Sequence, residues 1–456
     1  MVTEPQMLAK ALKQLMTRGL RVEKRERYYN GRHPSQLGSE SWNRTFRRQV
    51  AGVIDNQCAL VVDVRADALI PSGVIARTED KVDIALALWA SERFEDEGDT
   101  LSRVTRVAEW SGEQTVVAVD YNGEGEVDCY PLDPRAAYVE RARGGEYLWG
   151  VHFWKADDDG DTQATLYLPT ETVHYAASSP SPLPSWDDFR EVARTTNPHG
   201  EVMLAAFQAS SPVIDTIAPM NDLLNKSLQT QLVVGEAHAN PLRVWLGIET
   251  YDPDTGEVAG PQVTFNPATS SRDVVLPTVQ DAEGDQREVL QLDSPSTTHY
   301  PAEQDSFRAS IARLGSVPAS MLQVGGRPES GEALEIAYLP FVAWRTAAWR
   351  TYGPSFDRLA RLAVKAHLYA STGRPMDAPR FRTQPSMDGG STEKSRMELV
   401  ANAVAAGMTL EDALVELFGM TREAAQLVMG NAAAQRAERD DRAAARLEQG
   451  YLDEVE

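Results

Sequence analysis

Near the start of the chain, apolar positions recur at helical spacing. Over residues 5–29 Leu8, Leu12, Leu15 and Met16 fall on one face, and Tyr28-Tyr29-Asn30-Gly31 followed by His33-Pro34 closes the segment, which predicts a helix. A second helix is expected within 45–70, running into an extended stretch at Pro71. Residues 79–110 give two more, split near Glu97-Gly98-Asp99. The period then changes. Residues 115–121 are rich in β-formers, Asn122-Gly123 suits a tight turn, and 126–130 return as a strand, which predicts a hairpin. Segments 137–140, 148–154 and 165–168 continue an antiparallel sheet, with an acidic turn at 157–161. Residues 176–200 are rich in Ser, Pro and polar side chains and predict a loop.

From Pro212 the helical period resumes. Val213, Ile217, Met220, Leu224 and Leu228 share a face, and Pro219 interrupts or begins the helix. Asn221, Asp222, Asn225, Lys226 and Gln229 occupy its other faces, a mix suited to a helix packed against copies of itself with one wet side. Asn240-Pro241 stops it. Strands at 242–246 and 274–276 about a turn at 251–256 predict a small β-rich insertion ending near Tyr300-Pro301. A return helix is expected at 303–314, broken by Pro318 and Gly325-Gly326-Arg327-Pro328. A long helix follows from about Ser330 to Ala370, with Pro340 and Pro354 as kinks. After a Pro/Gly-rich stretch, 395–406, 409–418 and 421–429 predict short helices, and 436–456 a frayed helix or tail. No internal repeat is visible.

The length, 456 residues, allows about three domains, and 42% apolar residues are enough for real cores. No apolar run approaches the ~18 residues of a membrane span, and no secretory leader is visible. Two cysteines, Cys58 and Cys129, make no disulfide framework and fit a reducing compartment. A membrane protein, a small secreted domain and a basic DNA-coating protein are therefore excluded. The formal charge is −22, unevenly spread: residues 1–50 are net basic, while 241–300 are acidic. The basic arm either touches nucleic acid or an acidic partner, or is a solvated amphipathic helix balancing acidic neighbours. Strong overall acidity opposes static wrapping of DNA but not a surface past which DNA slides.

Catalytic motifs fail on inspection. Histidines 33, 152, 174, 199, 238, 299 and 367 are scattered, with no zinc spacing. Gly326 to Gly331 has phosphate-loop spacing, but Glu332-Ala333 follows where Lys and Ser/Thr are needed. Aligned on Gly160, the acidic turn puts Lys155 and Leu166 at ligand positions of a calcium loop, and both are wrong. No Gly-x-Ser-x-Gly elbow occurs. Trp344 and Trp349 suit a core or a subunit contact better than base stacking. No catalytic, cofactor or metal residue is assigned.

The arrangement is more distinctive than any motif: a helix, a β-rich excursion, and a helix that returns. In order along the chain, Tyr28-Tyr29-Asn30-Gly31, Pro212-Val213-Ile214-Asp215 through Asn221 to Leu228, Asn240-Pro241-Leu242-Arg243-Val244-Trp245-Leu246-Gly247, Gly315-Ser316-Val317-Pro318 and Ser330-Gly331-Glu332-Ala333-Leu334 carry a likeness. Through them the sequence resembles the portal proteins of long-tailed bacteriophages, particularly those of actinobacteria. The resemblance implies a helix-rich α+β fold with a wing (1–205), a stem helix (206–240), a β-rich clip (241–301), a return stem helix (302–316), a tunnel-loop region (317–330), a long kinked wing helix with linker (331–390), and a helical crown with tail (391–456). It implies a cyclic ring, typically a dodecamer, at one vertex of the virion capsid, assembled in the host cytoplasm. Double-stranded viral DNA would pass through it during packaging and ejection. Its partners would be terminase, major capsid protein, scaffold and head-completion or adaptor proteins, with no cofactor and no membrane.

Arg327 is the one basic residue between Arg313 and Arg345, which makes it the candidate DNA-channel contact, against an ordinary exposed loop arginine. Lys226, Arg308 and Arg313 are candidate stem or subunit-interface residues. Two other functions compete. A capsid-associated hydrolase would need a clustered metal or nucleophile site. A plain adaptor or scaffold-binding head protein should be shorter and lack the helix–insertion–helix design.

Overall fold

The computed structural model describes residues 3–33, 54–78, 80–121, 126–155, 161–177, 185–239, 242–246, 255, 262–266, 271–276, 288–292, 296–322, 331–385 and 409. The chain divides into two compact units, Met1–Ser386 and Met387–Glu456. The helices expected beyond 391, the tail, Arg327, Asn122-Gly123 and residues 157–160 lie outside the described residues.

The first helix, α1 (Glu4–Tyr29), opens where the Gln6 side chain accepts from the Thr3 N–H at 3.0 Å, with Pro5 in its first turn. Leu8, Ala11, Leu12, Leu15, Arg18, Val22 and Arg25 form its buried stripe. Met16 lies off that stripe and is 57% exposed, so one of the four expected core positions is a surface one. Helix α2 (Gln57–Asp67) starts at Asn56, whose side chain accepts from Ala59 N–H, and α3 (Lys81–Asp96) starts at Asp80, whose side chain accepts from Val82 N–H. The split expected at Glu97-Gly98-Asp99 separates α3 from α4 (Gly98–Ser111). α4 ends at Gly112, with φ +64 and Pro212 so close that a Cβ would lie 2.7 Å from it, a position fit only for glycine.

Strands β2 (Thr115–Tyr121) and β3 (Val127–Leu132) pair antiparallel as the expected hairpin, and β9 (Leu204–Phe207) adds to the other edge of β2. A second sheet runs β4 (Ala137–Arg141), β5 (Tyr147–Lys155), β6 (Thr162–Tyr167), β7 (Glu171–Ala177) and β8 (Phe189–Thr196), all antiparallel. The loop expected at 176–200 is corrected here: it contains the end of β7 and all of β8, an exposed edge strand with no apolar alternation to betray it. The first 76 residues contribute a further strand, β1 (Pro71–Ala76), which pairs with β14 (Phe381–Pro385) from within the Pro/Gly-rich stretch.

One face of the five-stranded sheet packs Trp149, Val151, Leu166 and Val173 on the Leu8–Leu12–Leu15 side of α1. The three-stranded sheet packs Val117, Val119 and Cys129 against the C-terminal half of α7 (Gly331–Thr372), through Tyr352, Phe356, Leu359 and Ala363. Both Pro340 and Pro354 sit inside this single helix. Its C-terminal half is tied down by charge as well. Glu201 is ion-paired with Arg358, Arg361 and Lys365, the last at 3.0 Å, and Arg358 also donates to the carbonyls of Leu204 and Val202. These cationic partners outweigh burial and hold the Glu201 carboxyl below its ordinary range.

Candidate functional site

The out-and-back element is α5 (Val213–Ala239) and α6 (Tyr300–Gly315), joined by an inserted sheet. Its strands are β10 (Leu242–Leu246), β11 (Gln262–Asn266), β12 (Ser271–Leu276) and β13 (Glu288–Leu292), in the order β11-β12-β10-β13. β10 lies parallel to β12 and antiparallel to β13, so two strands beyond those expected complete the sheet. The helices are pinned together by side chains: Ser227 Oγ donates to Glu303 Oε2 at 2.9 Å, and Gln304 Nε2 donates to Gln231 Oε1 at 2.7 Å.

The base of this pair sits on α1, α2 and α4. Val213, Ile214, Ile217 and Leu224 of α5 meet Ile311 and Ala312 of α6, Val61 and Val62 of α2 and Val22 of α1. These apolar positions of α5 are thus spent inside its own chain, while Leu223 and Leu232 stay exposed. Its polar positions are largely spent there too. Asn221 Oδ1 accepts from Gln57 N–H at 3.1 Å, and Asn225 Oδ1 accepts from Asp55 N–H at 2.7 Å. Asn221 is fully buried and Asn225 nearly so. Tyr28 donates to Asp222 at 2.9 Å while its ring stacks on His33 with centroids 4.4 Å apart. Burial lowers the pKa of His33 and raises that of Tyr28. Among the described side chains of α5, Leu223, Lys226 and Leu232 are exposed.

The basic N-terminal helix is largely neutralised within the chain. Arg25 grips Asp215 of α5 through Nε at 3.0 Å and Nη2 at 2.7 Å, and also donates to the Ser111 carbonyl. Arg18 donates to the Ala137 carbonyl, Lys10 pairs with Glu140, and Arg21 with Glu113.

A buried charge cluster holds the far end of α6. Arg65 Nε donates to Glu109 Oε2 at 2.9 Å, Arg65 Nη1 donates to the Gly315 carbonyl at 3.2 Å, and the guanidinium lies 4.0 Å from the Trp344 ring centroid. Tyr352 of α7 donates to the other Glu109 oxygen at 3.0 Å. Burial pushes the Glu109 carboxyl up, opposed by Arg65 and Tyr352. The α6 terminus itself turns on Ser316, with φ 55, followed by Val317 N–H donating to Ala312.

Of the sequence-predicted residues, Lys226 is exposed on α5 and Arg313 on α6, with no ion pair among the described residues. Arg308 is committed within its own chain, to Asp55 at 3.0 Å and Asp305 at 3.1 Å. Arg327 lies outside the described residues. Among the described residues no hydrogen bond or ion pair joins Lys226, Arg308 and Arg313 into one cluster. Sequence reasoning missed Arg65 and Glu109, whose signal would have been a charged residue on the apolar stripe of each helix. Among the described residues no group of His, Cys, Asp or Glu could hold a metal, and no helix is long and apolar enough to cross a membrane.

Three solved structures resemble the chain weakly in fold. The virion of a native gene transfer agent particle aligns with a TM-score of 0.41 at 14% identity, covering 84% of this chain and 95% of that one. The neck of the native particle, with C12 symmetry, gives 0.42 at 13% identity over 84% and 94%, and the neck of the empty particle, with C6 symmetry, gives 0.43 at 15% over 84% and 95%. No curated protein matches. The model of the family described as phage portal protein, SPP1 Gp6-like, matches residues 17–374, which include the C-terminal half of α1, the second sheet, the helix pair with its inserted sheet, and α7. A match of that extent, over an out-and-back helix pair bearing a sheet, means that the chain belongs to the SPP1 Gp6-like family of phage portal proteins.

Proposed function

We propose that copies of this chain close into a ring, of twelve copies, whose central channel carries double-stranded viral DNA into the capsid and out again. Family membership is the observation that carries this reading. In it, residues 1–205 and α7 with its linker form the wing, α5 and α6 the stem, 241–301 the clip, 317–330 the tunnel-loop region and 391–456 the crown. The role is structural, with no catalytic step. Lys226 and Arg313, exposed on the stem helices, would meet neighbouring copies, and Arg327 would meet DNA. The net charge of −22 supports passage without sticking, since an acidic wall releases phosphates. The inserted sheet, in an acidic stretch of the sequence, would face terminase during assembly and the head-completion proteins afterwards, while the wing meets scaffold and major capsid protein in the host cytoplasm and then the virion.

The test is the mass and image of the purified chain. Twelve copies of 50.2 kDa give a particle of about 600 kDa. Negative-stain images should show a ring with a central hole. A monomer or dimer at every concentration would refute the reading.

A further inference from the structure

The face of the five-stranded sheet that turns away from α1 lines a cavity. Along its strands His152 and Trp154 of β5, Thr165 and Tyr167 of β6 and His174 of β7 alternate with the apolar positions packed on α1, and so point to this other side. The sheet meets the three-stranded sheet where Leu204 sits over Gly150, so close that a Cβ would lie 2.3 Å from the leucine Cδ1. A cavity of about 580 Å³ opens beside that contact, with His152 and Trp154 on one wall and Asp120, Tyr121, Tyr130 and His199 on the other.

The walls are aromatic and short of positive charge. Tyr121, Tyr130, Trp154 and Tyr167 contribute four rings, and Asp120 is the one carboxylate among the described lining residues, which include no lysine or arginine. Burial lowers the pKa of His152 and His199, so neither ring adds charge at neutral pH. Lys365, whose charge reaches His199, is already held by Glu201 at 3.0 Å. Inside the cavity Trp154 donates to Thr165 Oγ1 at 3.2 Å, and that oxygen lies 3.2 Å from His174 Nδ1. Two polar groups are left over. The exposed Asp120 carboxylate accepts only the Tyr121 N–H, at 2.8 Å, among the described residues. The Nδ1 of His199, a side chain only 7% exposed, has no hydrogen-bond partner among them.

We propose that this cavity receives the guanidinium of an arginine side chain presented by another protein. A planar cation is attracted to the faces of tyrosine and tryptophan, and its N–H donors need several acceptors, which the Asp120 carboxylate and a neutral imidazole nitrogen supply. The chain seats its own guanidinium groups in this way: Arg358 lies 3.7 Å and Arg141 4.6 Å from the Tyr147 ring centroid. Size and position favour a side chain borne on a polypeptide. The cavity is far larger than one guanidinium, and Thr195 and Thr196 on its wall belong to β8, the edge of the sheet, whose outer side pairs with no described strand and can take an extended segment. The chain's −22 charge adds attraction at longer range. The cavity is formed within one chain, so the inference does not depend on the ring reading.

The test is saturation-transfer NMR of the full-length chain with N-acetyl-arginine methylamide, beside N-acetyl-citrulline methylamide, which keeps the shape and loses the charge. The arginine compound should bind saturably and the citrulline compound should not. Asp120→Asn keeps an acceptor for the Tyr121 N–H and should weaken binding about tenfold or more. Glu95→Gln, exposed on α3 away from the cavity, should bind as wild type does, and circular dichroism should show both variants folded. Equal binding of the two compounds, binding of neither, or an Asp120→Asn chain with wild-type affinity would overturn the proposal. Free L-arginine, whose α-carboxylate Asp120 repels, should bind more weakly than the blocked form, and tighter binding would overturn the protein-borne source.

Discussion

Arg65 and Glu109 form a buried pair at 2.9 Å, and the same guanidinium reaches the last carbonyl of α6 at Gly315. Four helices meet at this one contact: α2 supplies Arg65, α4 Glu109, α6 the carbonyl, and α7 both Tyr352 and the Trp344 ring. Removing the arginine leaves a carboxylate buried without its charge partner and a helix terminus without its donor. Arg65→Ala should therefore cost about 3–5 kcal/mol in chemical denaturation. A loss below ~1 kcal/mol would show that water replaces the guanidinium and that the pair is not structural.

Asn225 holds α5 to the segment that leads into α2. Its carbonyl accepts from the Asp55 N–H at 2.7 Å, and Asn221 does the same for Gln57. Asn225→Leu keeps the branched outline and heavy-atom count but leaves a backbone donor unpaired, at a cost of about 1–3 kcal/mol. Hydrogen exchange at the Asp55 amide should accelerate markedly in the variant, while exchange in β6 stays as in wild type.

Two helical glycines differ in what surrounds them. A Cβ on Gly315 would lie 2.7 Å from Val61 Cγ1, whereas one on Gly235 meets nothing within 4 Å. Gly315→Ala should push α6 off α2 and destabilise by about 1–3 kcal/mol. Gly235→Ala should stabilise by up to about 1 kcal/mol through helix propensity alone. Thermal midpoints moving in the same direction for both variants would contradict this contrast.

His152, on β5, has its pKa lowered by burial to about 4, against a small opposing pull from Asp133. Between its unfolded value of 6.5 and about 4, the unfolded chain binds a proton that the folded chain refuses. Protons then favour unfolding, so stability is full above pH 6.5 and falls as pH drops toward 4. The full contribution is about 3 kcal/mol. Replacing the residue, His152→Gln, should flatten that part of the pH–stability curve, and an unchanged slope between pH 6.5 and 4 would refute the assignment.

Both thiols should be silent in the native state. Cys58 and Cys129 are buried free cysteines, and burial pushes each thiol up to about 12. Ellman's reagent should titrate two thiols per chain only after denaturation. Reaction at the native state, at a rate independent of denaturant, would place at least one of them at the surface.

The chain's local patterns determined a good deal. The span of α1, the split between α3 and α4, the β2–β3 hairpin, and the helix–insertion–helix order all follow from period and turn residues, because those signals are carried by neighbours in sequence. Other elements exist only by virtue of distant partners. β14 is a strand because β1 lies beside it, three hundred residues earlier in the chain, and β8 is an edge whose side chains beyond Phe189 are exposed and show no alternation. The same holds for side-chain roles. In sequence Asn221 and Asn225 look like positions on a polar face and Arg308 like a subunit-interface residue, yet their hydrogen bonds go to backbone and carboxylate groups near residues 55–57. A polar residue type does not state whether water or protein satisfies it. That choice is made only when packing expels the water, and so it belonged to the tertiary structure.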